Sequence, residues 1–311
     1  MTSTATVRAD RWLLDSAPAA RLAAFRILVG AFTTLYLVAR LPRFLDLADG
    51  RPSPFDPVGA LWFLGDPLRP LVVNGMIVAA LAGAVALMLG AGHRVSGPAL
   101  SLVLLALTTY RSSWGQLLHF ENLMVLHVVV VGFSPAADVW SLDARRRRAG
   151  IPAPSERYGW PLRLAALITV TTYVIAGLAK LRYGGLGWLD GETLRNHIAY
   201  TAARLDVFGE STSPIAGPLV ARGWIFTPLA IAGVAIELAA PVALLGRRLR
   251  NGWVTAAVAM HACIAATMYI VFPYPLFVVA FAPMFDLEHG VEWVSRWRVP
   301  SRLSPRRSGA G

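Results

Sequence analysis

Between residues 22 and 284 one apolar run follows another, most of them long enough to cross a lipid bilayer as a helix, with short polar connections between. No other feature narrows the choice of fold as far. In hydrocarbon every backbone N–H and C=O needs a partner inside the protein, so a spanning run folds either as a helix or as a strand of a closed barrel. Runs near twenty residues match a helix, which rises 1.5 Å per residue across a core about 30 Å thick. With 56% of 311 residues apolar and 15% charged, the chain is too poor in charge to cover an ordinary water-facing surface. The expected fold is all-α: a polytopic integral membrane helix bundle of about eight transmembrane helices.

The runs place spans at about 22–41, 71–91, 96–110, 117–133, 160–181, 224–246 and 252–271, with a shorter eighth ending near Met284. Trp12, Leu13 and Leu14 suggest a short interfacial segment before the first. The connection from Pro42 to Pro70 carries the apolar island Ala60–Leu64, too short to cross and expected at the interface. Glu192–Tyr200 has helical spacing of apolar positions and is placed to cover the bundle mouth. Residues 1–20 read as a cytoplasmic or interfacial segment, 21–290 as the bundle, and 291–311, with Trp293, Trp297 and several arginines, as a basic amphipathic tail.

A net charge of +11 in a soluble protein would suggest nucleic acid. Here the arginines gather in a few loops and at the C-terminus, where anionic lipid headgroups account for them, so membrane lipid is the expected partner and nucleic acid is not. With both termini cytoplasmic, an even count of spans puts Arg145–Arg148, Arg247, Arg248, Arg250 and the tail on the cytoplasmic face, as the positive-inside bias requires. The expected location is the cell membrane, with the connection after Lys180 on the extracytoplasmic side. The first twenty residues lack the pattern of a cleaved signal, so insertion relies on the first span. Cys263 is the single cysteine, which excludes an internal disulfide and a thiolate metal cluster.

The stretch richest in chemistry is Tyr173-Val-Ile-Ala-Gly-Leu-Ala-Lys180, followed by a glycine-rich turn into Trp188-Leu-Asp190-Gly191. It sets one amine at the mouth of a bundle. Two readings are open on the residues alone. A lysine at the end of a span lifts its ammonium out of the apolar slab along its methylene stem. Alternatively, Ala176 and Gly177 admit a neighbouring helix and the amine serves a capped, low-dielectric site, where burial lowers a lysine pKa toward that of a usable base. Glu237, inside the sixth span, needs neutralisation or a partner, and His261 in the seventh is its natural candidate. For a lone histidine in an apolar run, a satisfied core contact is the alternative.

Tyr173-x-x-Ala176-Gly177-x-x-Lys180-Leu181 followed by Trp188-x-x-Gly191 resembles the signature of the vitamin K-dependent gamma-carboxylase family and its bacterial relatives, the HTTM (horizontally transferred transmembrane) domain proteins. Two further blocks share the resemblance: Ser113-Trp114 with His119 downstream, closing at Trp140-Ser-Leu-Asp143, and Glu237-Leu-x-x-Pro241 with His261 and Phe272-Pro273-Tyr274. The resemblance implies that Lys180 is the base that deprotonates a reduced naphthoquinone of the vitamin K type, or another quinol. Oxygenation of that anion then yields a base strong enough for C–H deprotonation, leaving the quinone epoxide. It further implies His119 as the group that stabilises the developing oxyanion, with Trp114, Tyr173, Trp188, Asp190, Gly191, Glu237 and His261 binding or supporting. The expected substrate is small or lipidic.

Other enzyme classes find no footing. Membrane di-iron sites use histidines in i, i+3 or i, i+4 groups, whereas the six here are dispersed, so no metal is expected. No phosphate-binding glycine loop in a strand-helix context and no Gly-x-Ser-x-Gly elbow occurs. The alternative outside enzymology is a non-catalytic membrane protein that binds quinone or lipid, or acts as a membrane partner or immunity factor. The arginine bias yields a direct test. A cysteine introduced at Arg146 is expected to resist a membrane-impermeant thiol reagent and one at Gly209 to react; the reverse labelling would invert the topology.

Overall fold

The computed structural model describes residues 12–49, 55–115, 120–148 and 150–290. Among them there is no strand, only an isolated bridge between Ala17 and Ser155. The longer helices are α1 (Ala19–Ala39), α3 (Pro70–Leu89), α4 (His93–Ser112), α5 (Asn122–Gly132), α7 (Glu156–Gly184), α8 (Glu192–Val207), α10 (Phe226–Leu238) and α11 (Arg247–Met268). Short pieces connect them: α2 (Leu41–Leu45), α6 (Leu142–Arg147), α9 (Ala216–Val220) and α12 (Pro273–Leu276), with single 3₁₀ turns elsewhere.

Three of these helices, α1, α3 and α7, are both long and apolar enough to cross a membrane. At 20 and 22 residues α4 and α11 have the length but more polar sequences. The remaining expected spans differ from their sequence limits. In place of 117–133 stands the 11-residue α5. The 224–246 run breaks at Leu238, after which Ala240–Leu244 continues as a 3₁₀ helix. The last run folds as α12 and the 3₁₀ helix Val279–Met284. The fifth run extends past Lys180 to Gly184. The tail at 291–311 and most of 1–20 lie outside the described residues.

Helix α7 joins two packing regions. Its first half places Tyr158, Leu162 and Ala165 in a core with α1, α3, α4 and α5. Its second half gives Val170 and Tyr173 to a smaller core with Ala240, Ala243, Trp253, Ala257 and Phe281. Ile198 of α8, Ala216 of α9 and Phe226 form a third cluster that caps one end of the smaller region. The outer belt is apolar: Leu35, Leu71, Val78, Val95, Leu102 and Ile175 are all more than half exposed. A belt of this kind suits lipid rather than water.

Polar groups inside the bundle are bolted to one another. His127 of α5 is fully buried; Nε2 lies 3.0 Å from the Ala165 carbonyl, so it carries the proton, and Nδ1 accepts from Tyr274 Oη at 2.8 Å. A second bolt sits at the opposite end of α1 from Arg21. Glu121, 1% exposed, takes both the Tyr36 hydroxyl of α1 and the Arg111 guanidinium of α4 on Oε1. The end that carries Arg21 is stapled by ion pairs: Arg21 to Glu288 and Asp286, and Arg163 to Asp15. There Asp143 accepts from the Gly92 and His93 N–H groups, 2.8 Å each. Partial burial pushes its carboxyl up, but those two bonds, with Arg147 and Arg146, hold it below its ordinary value.

Helices α4 and α5 meet at two glycines. A Cβ on Gly97 would lie 2.5 Å from the Gly132 carbonyl oxygen, and one on Gly132 would lie 2.6 Å from that of Gly97. Gly132→Ala is therefore expected to destabilise by about 1–3 kcal/mol, the cost of forcing an extra methyl into a packed contact. Thermal unfolding in one detergent checks it, with Gly75→Ala in open space as the neutral control.

Candidate functional site

The spacing of the Tyr173 block becomes legible on the helix. Positions 173, 177 and 180 share one face of α7, one and two turns apart. That face meets the end of α10. Gly177 is what permits the approach, since a Cβ there would lie 2.9 Å from Leu238 Cδ2 and 3.1 Å from Glu237 Cβ. The Glu237-Leu-x-x-Pro241 spacing also has a local cause. A proline lacks an N–H and its ring clashes with the carbonyl four residues earlier, here Glu237, so α10 stops at Leu238. The acid is left at the end of a helix that terminates inside the bundle.

Lys180 Nζ donates to Glu237 Oε1. Nζ also lies 5.6 Å from the centre of the Trp188 ring, a cation–π distance when the amine is charged. Two turns back along the helix, the Tyr173 hydroxyl is 2.7 Å from His261 Nε2. The Tyr173 ring is set edge-on against Trp253, and His261 packs on Phe272. Lys180, Glu237, Tyr173 and His261 border one cavity of about 200 Å³, whose remaining wall is apolar apart from Thr172: Phe120, Leu123, Met260, Ile264, Phe272 and Pro275 among others. Glu237 Oε2 and His261 Nδ1 are sealed from solvent and have no hydrogen-bond partner among the described residues.

The pairing differs from the sequence expectation. Glu237 and His261 share the cavity, but each bonds to α7, the acid to Lys180 and the imidazole to Tyr173. Of the 29 basic residues Lys180 is the only lysine, so the one amine side chain in the chain is the one in this cavity. Lys180 stands four residues inside the helix end rather than at it.

The Trp188–Gly191 knuckle serves the architecture. Asp190 Oδ1 accepts from the Glu192 N–H at 2.8 Å, and the Asp190 carbonyl accepts from Thr227. Gly191 adopts φ +91°, and a Cβ there would run into the main chain of Phe226 and Thr227. The knuckle thus docks on the start of α10 and brings the Trp188 ring over Lys180. Asp190 and Gly191 themselves do not border the cavity.

Trp114 is not brought to Lys180. It packs with Phe55 and Tyr110 at the end of α4. His119 lies outside the described residues; its sequence neighbour Phe120 borders the Lys180 cavity. The sequence reading passed over the buried Glu121–Arg111–Tyr36 cluster. An acid inside an expected span and a base ten residues before it were the signal available. Phe120 separates that cluster from the cavity, and the guanidinium of Arg111 lies 5.5 Å from the centre of its ring. Among the described residues no group of three or more His, Cys, Asp or Glu side chains is arranged to hold a metal ion.

Comparison with known proteins gives one result. No curated protein and no solved structure matches the chain. The model of the HTTM domain matches residues 15–289, which takes in every helix described above and the whole of the cavity. Together with the three apolar helices this fits a membrane protein. The chain belongs to the HTTM domain family.

Proposed function

We propose that the chain is a membrane enzyme of the vitamin K-dependent gamma-carboxylase type that binds a reduced naphthoquinone or related quinol beside Lys180. The observation that carries this reading is the placement of the chain's only lysine on a largely apolar cavity, with Glu237, Tyr173 and His261 beside it. An apolar wall with a few convergent polar groups is the usual make-up of a small-molecule site. A flat bicyclic ring carrying oxygens suits an apolar wall with an amine at its edge. When bound and reduced, such a ring supplies an acidic hydroxyl and a site for oxygenation. The residues of the chain do the rest. Lys180 takes the hydroxyl proton at Nζ, Glu237 and the Trp188 ring hold the ammonium that results, and Tyr173 fixes the His261 ring against the cavity. The aromatic and aliphatic wall excludes water.

In the same reading the bundle crosses the membrane about eight times, α4, α5, α10 with its 3₁₀ continuation, α11 and the segment after Phe272 completing the set, with both termini cytoplasmic. Exposed Thr172 and half-exposed Ala176 and Ile264 on the cavity rim offer entry from the lipid. The substrate of the resulting base is small or lipidic. One observation favours a non-catalytic alternative: the amine is already engaged by a carboxylate, as befits a protein that binds quinone or lipid without turning it over.

Lys180→Arg separates the two. Arginine keeps the charge and the pairing with Glu237 but cannot supply a neutral base near pH 7. The variant is expected to bind quinol and to lose quinol-dependent oxygen uptake by about 100-fold or more, the usual weight of a general base. Oxygen uptake equal to wild type would remove Lys180 from the base role, and no uptake by either protein would favour the binding reading.

A further inference from the structure

At the end of the bundle that carries Arg21, between the start of α4 and the end of α5, lies a second, open cavity of about 320 Å³. Arg94 of α4, Arg147 of α6 and Arg157 of α7 line it, against two acids, Asp138 and Asp143. Asp143 is spent on the main-chain N–H groups of Gly92 and His93. Asp138 serves two guanidiniums at once, Arg157 at 3.0 Å and Arg147 at 3.7 Å, and also accepts from the Tyr158 hydroxyl. The Arg94 side chain is exposed and has no ion pair or hydrogen bond among the described residues. His93, the remaining titratable group of the wall, turns Nε2 to the Ser134 carbonyl at 3.0 Å. Three arginines against two aspartates leave the wall with a positive surplus of one.

The rim of this cavity leads into the apolar outer belt. Pro98 and Phe133 border it, and Phe133 is 59% exposed. From Arg94 the exposed side of α4 continues through Val95, Ala99 and Leu102, one face at i, i+4 and i+7. Leu126 and Phe133, two turns apart, do the same for α5. Seven residues of helix rise about 10 Å, within the depth of one leaflet. Surplus guanidinium at one level and exposed hydrocarbon directly beyond it match an amphiphile with an anionic head. Arginine suits a phosphate head in particular, because its planar fork binds two oxygens at a time.

We propose that this cavity seats the phosphodiester of an anionic phospholipid, whose acyl chains lie along the exposed faces of α4 and α5. One phosphodiester carries one negative charge and balances the surplus. Arg94 is the principal contact, since it has no partner to give up, and Arg147, only loosely held by Asp138, is the second. A zwitterionic lipid brings a cation of its own to a wall already in positive excess and is disfavoured. The site lies apart from the Lys180 cavity and shares with the quinol reading only the crossing of the bilayer by α4.

The test uses the full chain in a neutral detergent free of phosphate. Dioleoyl-phosphatidylglycerol, dioleoyl-phosphatidylcholine and inorganic phosphate are titrated in turn, with binding read by native mass spectrometry and by the shift in thermal unfolding. Wild type is expected to bind phosphatidylglycerol about five-fold tighter or more than phosphatidylcholine, and inorganic phosphate to give no shift. Arg94→Gln is expected to lose about five-fold in phosphatidylglycerol affinity, the weight of one basic residue at a lipid surface, and to bind phosphatidylcholine as before. Arg145→Gln removes the same charge from the same end of the bundle but outside the cavity, and is expected to behave as wild type. Equal affinity of the wild type for the two lipids overturns the site without any variant having to fold. Equal losses in Arg94→Gln and Arg145→Gln overturn it too, since the attraction is then spread over the whole charged face. A shift with inorganic phosphate as large as that with phosphatidylglycerol overturns the lipid and leaves a site for a free anion.

Discussion

A charge inside an apolar bundle needs a partner: buried Arg26 has the Trp140 carbonyl, and the buried acids Glu121 and Glu237 have bases. Glu121 has Arg111 and Tyr36; Glu237 has Lys180. Removing one member of such a pair strands the other, at about 3–5 kcal/mol. Each acid therefore fixes more than itself. The first ties α1 and α4 to the start of α5, and the second ties α7 to the end of α10. Sliding any of these helices by one residue would carry the acid off its base, so the register of the bundle is written in its few charges while the apolar contacts supply the bulk of the attraction.

Between those two points the site is shaped by residues that do no chemistry. Gly177 sets how closely α10 approaches, Pro241 sets where α10 stops, and Gly191 sets how the knuckle lies on the next helix. The Phe272–Pro275 turn faces two ways: Phe272 and Pro275 line the Lys180 cavity while Tyr274 reaches back to His127 in the larger core. The wall of the cavity is thereby anchored to His127, the most buried histidine among the described residues.

Much of this could be read from the chain. Apolar runs of spanning length announced the helices, and the i, i+4, i+7 spacing of Tyr173, Gly177 and Lys180 announced a shared face. The same residues carried the resemblance to HTTM domain proteins, and that part of it the family match upholds over residues 15–289. What stayed hidden was long-range pairing. Lys180 and Glu237 stand 57 positions apart and Tyr173 and His261 88, and periodicity within one helix says nothing about which neighbour arrives opposite it. The expected pairing of Glu237 with His261 failed for that reason: both residues border the cavity, but each finds its partner on α7. Hydropathy also ran past the ends of real elements. Apolar residues continue beyond Leu238 as they would in one long span, yet a single proline ends the helix there.

That early stop has an electrostatic consequence. The C-terminus of α10 at Leu238 carries a partial negative charge, roughly half a unit. Glu237 stands in the last turn of that helix, where a carboxylate is disfavoured, so Lys180 offsets the helix dipole as well as the burial of the acid. Loss of the amine would set the carboxylate against both at once.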